Sequence, residues 1–146
     1  MAVSLAGRTA IVTGAGGGLG RTHALLLARA GAKVIVNDIP QSLANAEKVV
    51  EEIRSAGGQA EAFGASVTDE AAVADMVAKA GAVDILVNNA GILRDKSFAK
   101  MTLDDFRLVM DVHLMGSVIC TKAVWDGMRE RGYGRIVMTT SSSGLY

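Results

Sequence analysis

Short apolar runs alternate with longer amphipathic stretches along this chain, and the first run breaks directly into TGAGGGLG over residues 13–20. Residues 9–13 (TAIVT) have only strand length and no polar alternation, so a strand there must be covered on both faces. The helical spacing that follows predicts a helix over 19–30, stopped by Gly31. The pattern then repeats. Strands are expected at 33–37 (KVIVN), 61–65, 83–88 (VDILVN) and 135–140 (RIVMTT), and a helix at 42–56 closed by Gly57 and Gly58. Thr68 is expected to cap the next helix, with Asp69 and Glu70 in its first turn near the positive end of the dipole. Thr102 opens a helical stretch running, with a break, to about residue 131. The expected fold is α/β, a doubly wound parallel sheet of the Rossmann type in one domain, 1–146, that stops after its fifth strand. Residues 91–101 lack periodicity and follow the fourth strand, so they form a long loop at the edge where such sheets bind ligands.

Composition closes off several function classes. Lys plus Arg and Asp plus Glu number 15 each, so no net field favours nucleic acid or an anionic membrane. No stretch is expected to span a membrane, and the N-terminus lacks the basic and apolar regions of a secretory signal. Cys120 is the one cysteine, which excludes an internal disulfide and a cysteine-built metal site. The expected setting is cytoplasmic, and no metal is expected. Around residues 111–128 two apolar stripes share one helix: Val109, Val112, Gly116, Ile119 and Ala123, then Met110, Leu114, Val118, Trp125 and Met128. One stripe covers the sheet; the other needs either further C-terminal chain or a second copy, making a homo-oligomer.

The glycine turn carries the chemistry. Gly14 lets the strand turn sharply, Gly18 lets backbone approach a pyrophosphate, and Gly20 lets helix pack on sheet, while free N–H groups at the helix start face the phosphates. The plainer reading is a glycine-rich connection with no ligand. Asp38 follows the second strand, 18 residues after Gly20, where the ribose of a dinucleotide would lie. A carboxylate there accepts from both ribose hydroxyls and repels a 2′-phosphate, favouring NAD over NADP. Its plainer reading is a turn carboxylate before Pro40.

Paired with Asn88-Asn89-Ala90-Gly91, the turn Thr13-Gly14-x-x-x-Gly18-x-Gly20 resembles the short-chain dehydrogenase/reductase family along the whole chain. The segments GILRDKSFAKMT, DVHLMGS and YGRIVMTTSSSG are similar to the (3R)-hydroxyacyl-CoA dehydrogenase domains of peroxisomal multifunctional enzymes and to bacterial 3-oxoacyl reductases. The resemblance implies NAD contacts at Thr13, Gly14, Gly18, Leu19, Gly20, Asp38, Ser66, Val67, Asn88, Asn89, Ala90 and Gly91. It implies a small-molecule substrate, a secondary alcohol such as a 3-hydroxyacyl thioester, oxidised to the ketone. Catalysis in the family uses Asn, Ser, Tyr and Lys. Ser141 stands at the serine position, with Ser142 and Ser143 one slip away, and His113 stands where the family asparagine kinks a helix. The Tyr-x-x-x-Lys pair has no counterpart, because Tyr146 follows Ser141 too closely. The chain is therefore expected to be inactive as written: either a fragment of such a dehydrogenase, or a non-catalytic nucleotide-binding or dimerising module. A steroid or sugar-alcohol dehydrogenase is the second enzymatic alternative.

Overall fold

Side chains on successive strand residues point to opposite faces, and here both faces are apolar. The computed structural model describes residues 3–141. Five parallel strands form one sheet: β1 (Thr9–Val12), β2 (Lys33–Asp38), β3 (Gln59–Gly64), β4 (Ile85–Asn88) and β5 (Arg135–Met138), in the order β3-β2-β1-β4-β5. Ala10, Val12, Val34, Val36, Ile85 and Val87 face one side. They meet Ala24 and Ala28 of α1 (Gly18–Arg29) and Ala46, Val49, Val50 and Ile53 of α2 (Leu43–Ser55). The intervening residues Ile11, Ile35 and Leu86 face the other side. They meet Val73, Met76 and Ala80 of α3 (Glu70–Ala80) and Cys120, Val124 and Met128 of α5 (Gly116–Glu130). The sheet is thus wound on both faces, as the apolar strands required. The chain reverses its direction across the sheet between β1 and β4, which opens a crevice at their carboxyl ends.

Four expectations need correction. Asp69, not Thr68, caps α3: its carboxylate accepts from the Ala72 N–H at 3.0 Å. The Thr68 hydroxyl is paired with Ser66 Oγ at 2.8 Å instead. The expected break in the long helix is a π-helical turn, Asp111–Met115, between α4 (Leu103–Met110) and α5. Beyond that turn the buried row is Gly116, Cys120, Val124 and Met128, so Ile119 is only half-buried and Ala123 is exposed. The second apolar face is real, with Leu114, Val118 and Trp125 about half exposed, although Met128 belongs to the core. Finally, the helical run Leu103–Glu130 is long and apolar enough to cross a membrane, contrary to the sequence reading. Its buried row packs on α3 and the sheet.

The ends of β1 and β4 are tied through one hydroxyl. Thr13 Oγ1, fully buried, donates to the Val87 carbonyl at 3.3 Å and accepts from the N–H groups of Asn89 and Ala90, each at 3.0 Å. Replacing it by the isosteric Thr13→Val leaves two N–H groups without this partner. Urea unfolding should then show a loss of roughly 2–4 kcal/mol; a loss under 0.5 kcal/mol would mean the two amides find other partners.

Candidate functional site

The crevice is built from backbone that glycine alone can form. Gly14 ends β1 at φ +61°, and a Cβ there would lie 2.8 Å from Ala90 Cα, so the turn presses directly against the segment after β4. Gly20 sits in α1 with no room for a Cβ, which would fall 2.3 Å from the Gly14 carbonyl oxygen and 2.5 Å from Asn89 Nδ2. Gly18, at φ +54°, has open space where a side chain would stand. No side chain caps α1, its first turn holds no acid, and Leu19 is exposed there. The positive end of this helix therefore opens outward from a glycine bend with its N–H groups uncovered by side chains. This is an arrangement that accepts an anion such as a phosphate.

Asp38 is the last residue of β2, one further than the sequence suggested. Its Oδ2 accepts from the Gly16 N–H and its Oδ1 from the Ile39 N–H, both at 2.9 Å. Gly16 was not singled out in the sequence. A Cβ on it would come within 2.7 Å of that carboxylate and 3.3 Å of the Ala46 nitrogen, so a small residue is needed beside Asp38. The carboxylate is thereby fixed at the mouth of a narrow cleft of about 130 Å³, lined by Gly14, Asn37, Asp38, Ile39, Ala65, Ser66, Val67, Ala90, Gly91, Ile92 and Val112. Six of the expected contacts, namely Gly14, Asp38, Ser66, Val67, Ala90 and Gly91, share this one space. Val67 also turns inward: a Cβ on Gly116 would approach its Cγ2 to 2.5 Å, so α5 and the segment after β3 lie in close contact.

Asn88 and Asn89 brace the crevice from behind. Asn89 Nδ2 donates to the carbonyls of Thr13 (2.9 Å) and Gly14 (3.1 Å), holding the glycine turn against β4. Asn88 Nδ2 donates to Thr121 Oγ1 at 3.2 Å and lies 3.3 Å from Met138 Sδ, joining β4 to α5 and β5.

His113 lies in the π-helical turn, against Gly91, where a Cβ would meet its ring at 2.6 Å. Its Nε2 is 2.8 Å from the Ile92 carbonyl and 3.0 Å from the Ile92 N–H, donating to the first in one tautomer or accepting from the second in the other. The imidazole thus pins the start of the 91–101 loop to the helix. The His113 carbonyl accepts from Ser117 Oγ at 2.7 Å. A larger hollow of about 610 Å³ opens beside it, lined among others by His113, Ser117, Thr121, Trp125 and Thr139. Ser141 follows Thr139 by two residues and is exposed; Ser142, Ser143 and Tyr146 lie outside the described residues. Six of the expected cofactor contacts thus line the narrow cleft, whereas His113 lines the larger hollow and reaches back to Ile92, a residue of the cleft wall. Cys120, next to Thr121, takes no part: burial pushes its thiol up to about 11, far from a reactive thiolate.

Known proteins share this layout. Residues 8–146 match the model of the short chain dehydrogenase family. The peroxisomal multifunctional enzyme type 2 of Drosophila melanogaster is 55% identical over 96% of this chain and 25% of its own length. A 3-oxoacyl-[acyl-carrier-protein] reductase of Synechocystis is 42% identical over 97% of this chain and 59% of its own length. The crystal structure of a 3-oxoacyl-[acyl-carrier protein] reductase with bound NAD from Brucella melitensis superposes with a TM-score of 0.91 at 31% identity, covering 98% of this chain and 56% of that one. The chain thus spans between a quarter and three fifths of these relatives. With the glycine turn, the braced Asn88-Asn89-Ala90-Gly91 segment and this match over residues 8–146, the chain belongs to the short-chain dehydrogenase/reductase family of oxidoreductases.

Proposed function

We propose that the crevice at the carboxyl ends of β1, β2 and β4 holds NAD, and that this chain is the cofactor-binding half of a dehydrogenase that oxidises a secondary alcohol, with a 3-hydroxyacyl thioester as substrate. The observation that carries the cofactor choice is the Asp38 carboxylate, held by the Gly16 and Ile39 N–H groups at the mouth of the cleft. A carboxylate so fixed offers its remaining lone pairs to ribose hydroxyls and opposes a 2′-phosphate by like charge. The start of α1, with Gly18, Leu19 and Gly20, would take the pyrophosphate; Ser66 and Val67 would flank the adenine; Ala90 and Gly91 would line the path toward the reacting end. When bound, the nicotinamide supplies the acceptor for the hydride leaving the substrate carbinol carbon. Ser141 is assigned a hydrogen bond to the substrate oxygen. His113 is assigned the support of the helix break and the 91–92 backbone, because its ring is already engaged with Ile92.

The thioester substrate is supported by likeness to the multifunctional enzyme and the 3-oxoacyl reductase. Residues 1–146 contain no Tyr-x-x-x-Lys pair, so nothing in them holds the proton of the alcohol at a tuned phenol. Cofactor binding without turnover is therefore proposed for this stretch alone. The half-exposed Leu114, Val118 and Trp125 on the outer side of the 111–128 region support a homo-oligomer through that helix. A single buried cysteine suits the reducing cytoplasm proposed as its setting.

Asp38→Ala should narrow the preference for NAD over NADP by about tenfold in direct binding, a change of roughly 1.4 kcal/mol; an unchanged ratio would remove Asp38 from the ribose. Mixed with NAD and a 3-hydroxyacyl-CoA, the purified 146-residue chain should give no absorbance rise at 340 nm above buffer; sustained NADH formation would overturn the claim of inactivity. Light scattering should find the chain associated and Val118→Glu with Trp125→Glu monomeric. A wild-type monomer at high micromolar concentration would refute the interface.

A further inference from the structure

Asn37 is a buried amide near the carboxyl end of an apolar strand, and two of the residues it bonds to, Asp38 and Ala65, line the proposed nucleotide cleft. It is 1% exposed. Its Nδ2 faces three carbonyl oxygens, those of Ala65 at 3.0 Å, Phe63 at 3.1 Å and Asp38 at 3.3 Å. Two hydrogens serve these three acceptors, and an oxygen in that place would face only acceptors, so the amide orientation is fixed. Its own main-chain carbonyl accepts from the Ala15 N–H at 2.8 Å, inside the glycine turn. The next residue, Asp38, reaches the same turn through Gly16.

One buried residue therefore joins three segments that come from distant parts of the sequence: the glycine turn, the ribose carboxylate and the stretch 65–67 after β3. A β2–β3 ladder alone does not require this, since the two strands are already paired in register from Lys33 with Gln59 to Asp38 with Gly64. The amide adds its bonds where the ladder ends and the cleft begins. Val or Ile at position 37 would suit the sheet face equally well, and would leave the Phe63 and Ala65 carbonyls without this donor.

We propose that Asn37 is a positioning residue for the cofactor: it sets the separation between the Asp38 carboxylate and residues 65–67, and so the fit and the 2′-hydroxyl selectivity of the adenosine end. This rests on the nucleotide reading of the cleft given above. Asn37 is assigned no ligand contact of its own. It acts through the carbonyls it gathers, holding Asp38 at one wall and Ser66 at the other.

The test compares adenosine monophosphate with adenosine 2′,5′-bisphosphate, titrated calorimetrically into the 146-residue chain at a temperature where circular dichroism shows wild type and variant folded. Wild type should bind the monophosphate and discriminate against the bisphosphate. Asn37→Ala should weaken the monophosphate by about tenfold and reduce the discrimination by a similar factor. A lower melting temperature with an unchanged discrimination ratio means a structural staple only, and overturns the proposal. If Asn37→Ala does not fold, Asn37→Ser, which keeps one donor, is read in the same way. On the wild-type chain, the Asn37 side-chain amide resonances should shift together with the Gly16 and Ser66 backbone amides on adding the monophosphate; at saturation, a still Asn37 beside a shifting Gly16 overturns the proposal without any variant. Failure of the wild type to bind the monophosphate fails the nucleotide reading itself, and the role of Asn37 falls with it.

Discussion

The arrangement depends on the hydrogen bonds that knot β1 to β4 at the reversal of strand order. Two parallel strands end there side by side, and their terminal N–H and carbonyl groups would be left buried and unpaired. The Thr13 hydroxyl and the Asn89 amide take up these groups, the hydroxyl serving three residues of β4 and its continuation, the amide holding two carbonyls of the glycine turn. Because the knot is made of short, directional bonds, the turn and the Ala90–Gly91 backbone stay in contact, and the crevice has a defined floor. A hydrophobic contact could hold the strands together but would not fix their ends to a fraction of an ångström.

From that floor the walls follow by a simple rule: the polar side chains around the crevice are engaged with other parts of the protein. Asn88 turns to Thr121, Asn89 to the glycine turn, Asn37 to β3 and His113 to Ile92. The Asp38 carboxylate, which lines the cleft, is itself held by two N–H groups. Specificity for a ligand thus rests on few groups, each with little freedom to rotate away. Pre-ordering of this kind lowers what binding must give up in entropy.

Much of this was legible in the sequence because it depends on periodicity and on glycine. The apolar strands at residues 9–13 and 33–37 required a sheet covered on both faces, and the structure has one. Gly14 and Gly20 were readable because a Cβ has no room there: it would fall 2.8 Å from Ala90 Cα at the first and against the Gly14 carbonyl oxygen at the second. Gly16 and Asn37 were missed for a common reason: the partners that give them a role, Asp38 for the first and Phe63 and Ala65 for the second, lie more than 20 residues away. The cap of α3 was misplaced by one residue because Thr68 and Asp69 are both good caps, and the choice was decided by the Ser66 hydroxyl engaging Thr68. The buried row of α5 was displaced because the sequence was read at 3.6 residues per turn straight through from Val109. Four-residue steps through Gly116, Cys120, Val124 and Met128 take over beyond the π-helical turn.

That wide turn acts as a phase shifter within an otherwise continuous rod. A turn closed by i→i+5 bonds uses one residue more than an α-turn, and one residue is about 100° of rotation around the axis. Upstream of Asp111 and downstream of Met115, the same rod therefore presents different azimuths: α4 reaches the 91–101 loop through Asp105, paired with Lys96, while α5 gives its buried row to the sheet and turns Trp125 outward. A chain with one residue deleted between 111 and 115 would keep its composition, its helicity and nearly all its hydrophobicity. It would rotate one half of the rod against the other, exchanging what is buried for what is displayed. In such an element, insertions and deletions are more consequential than substitutions, because they change the angle at which every later side chain is delivered.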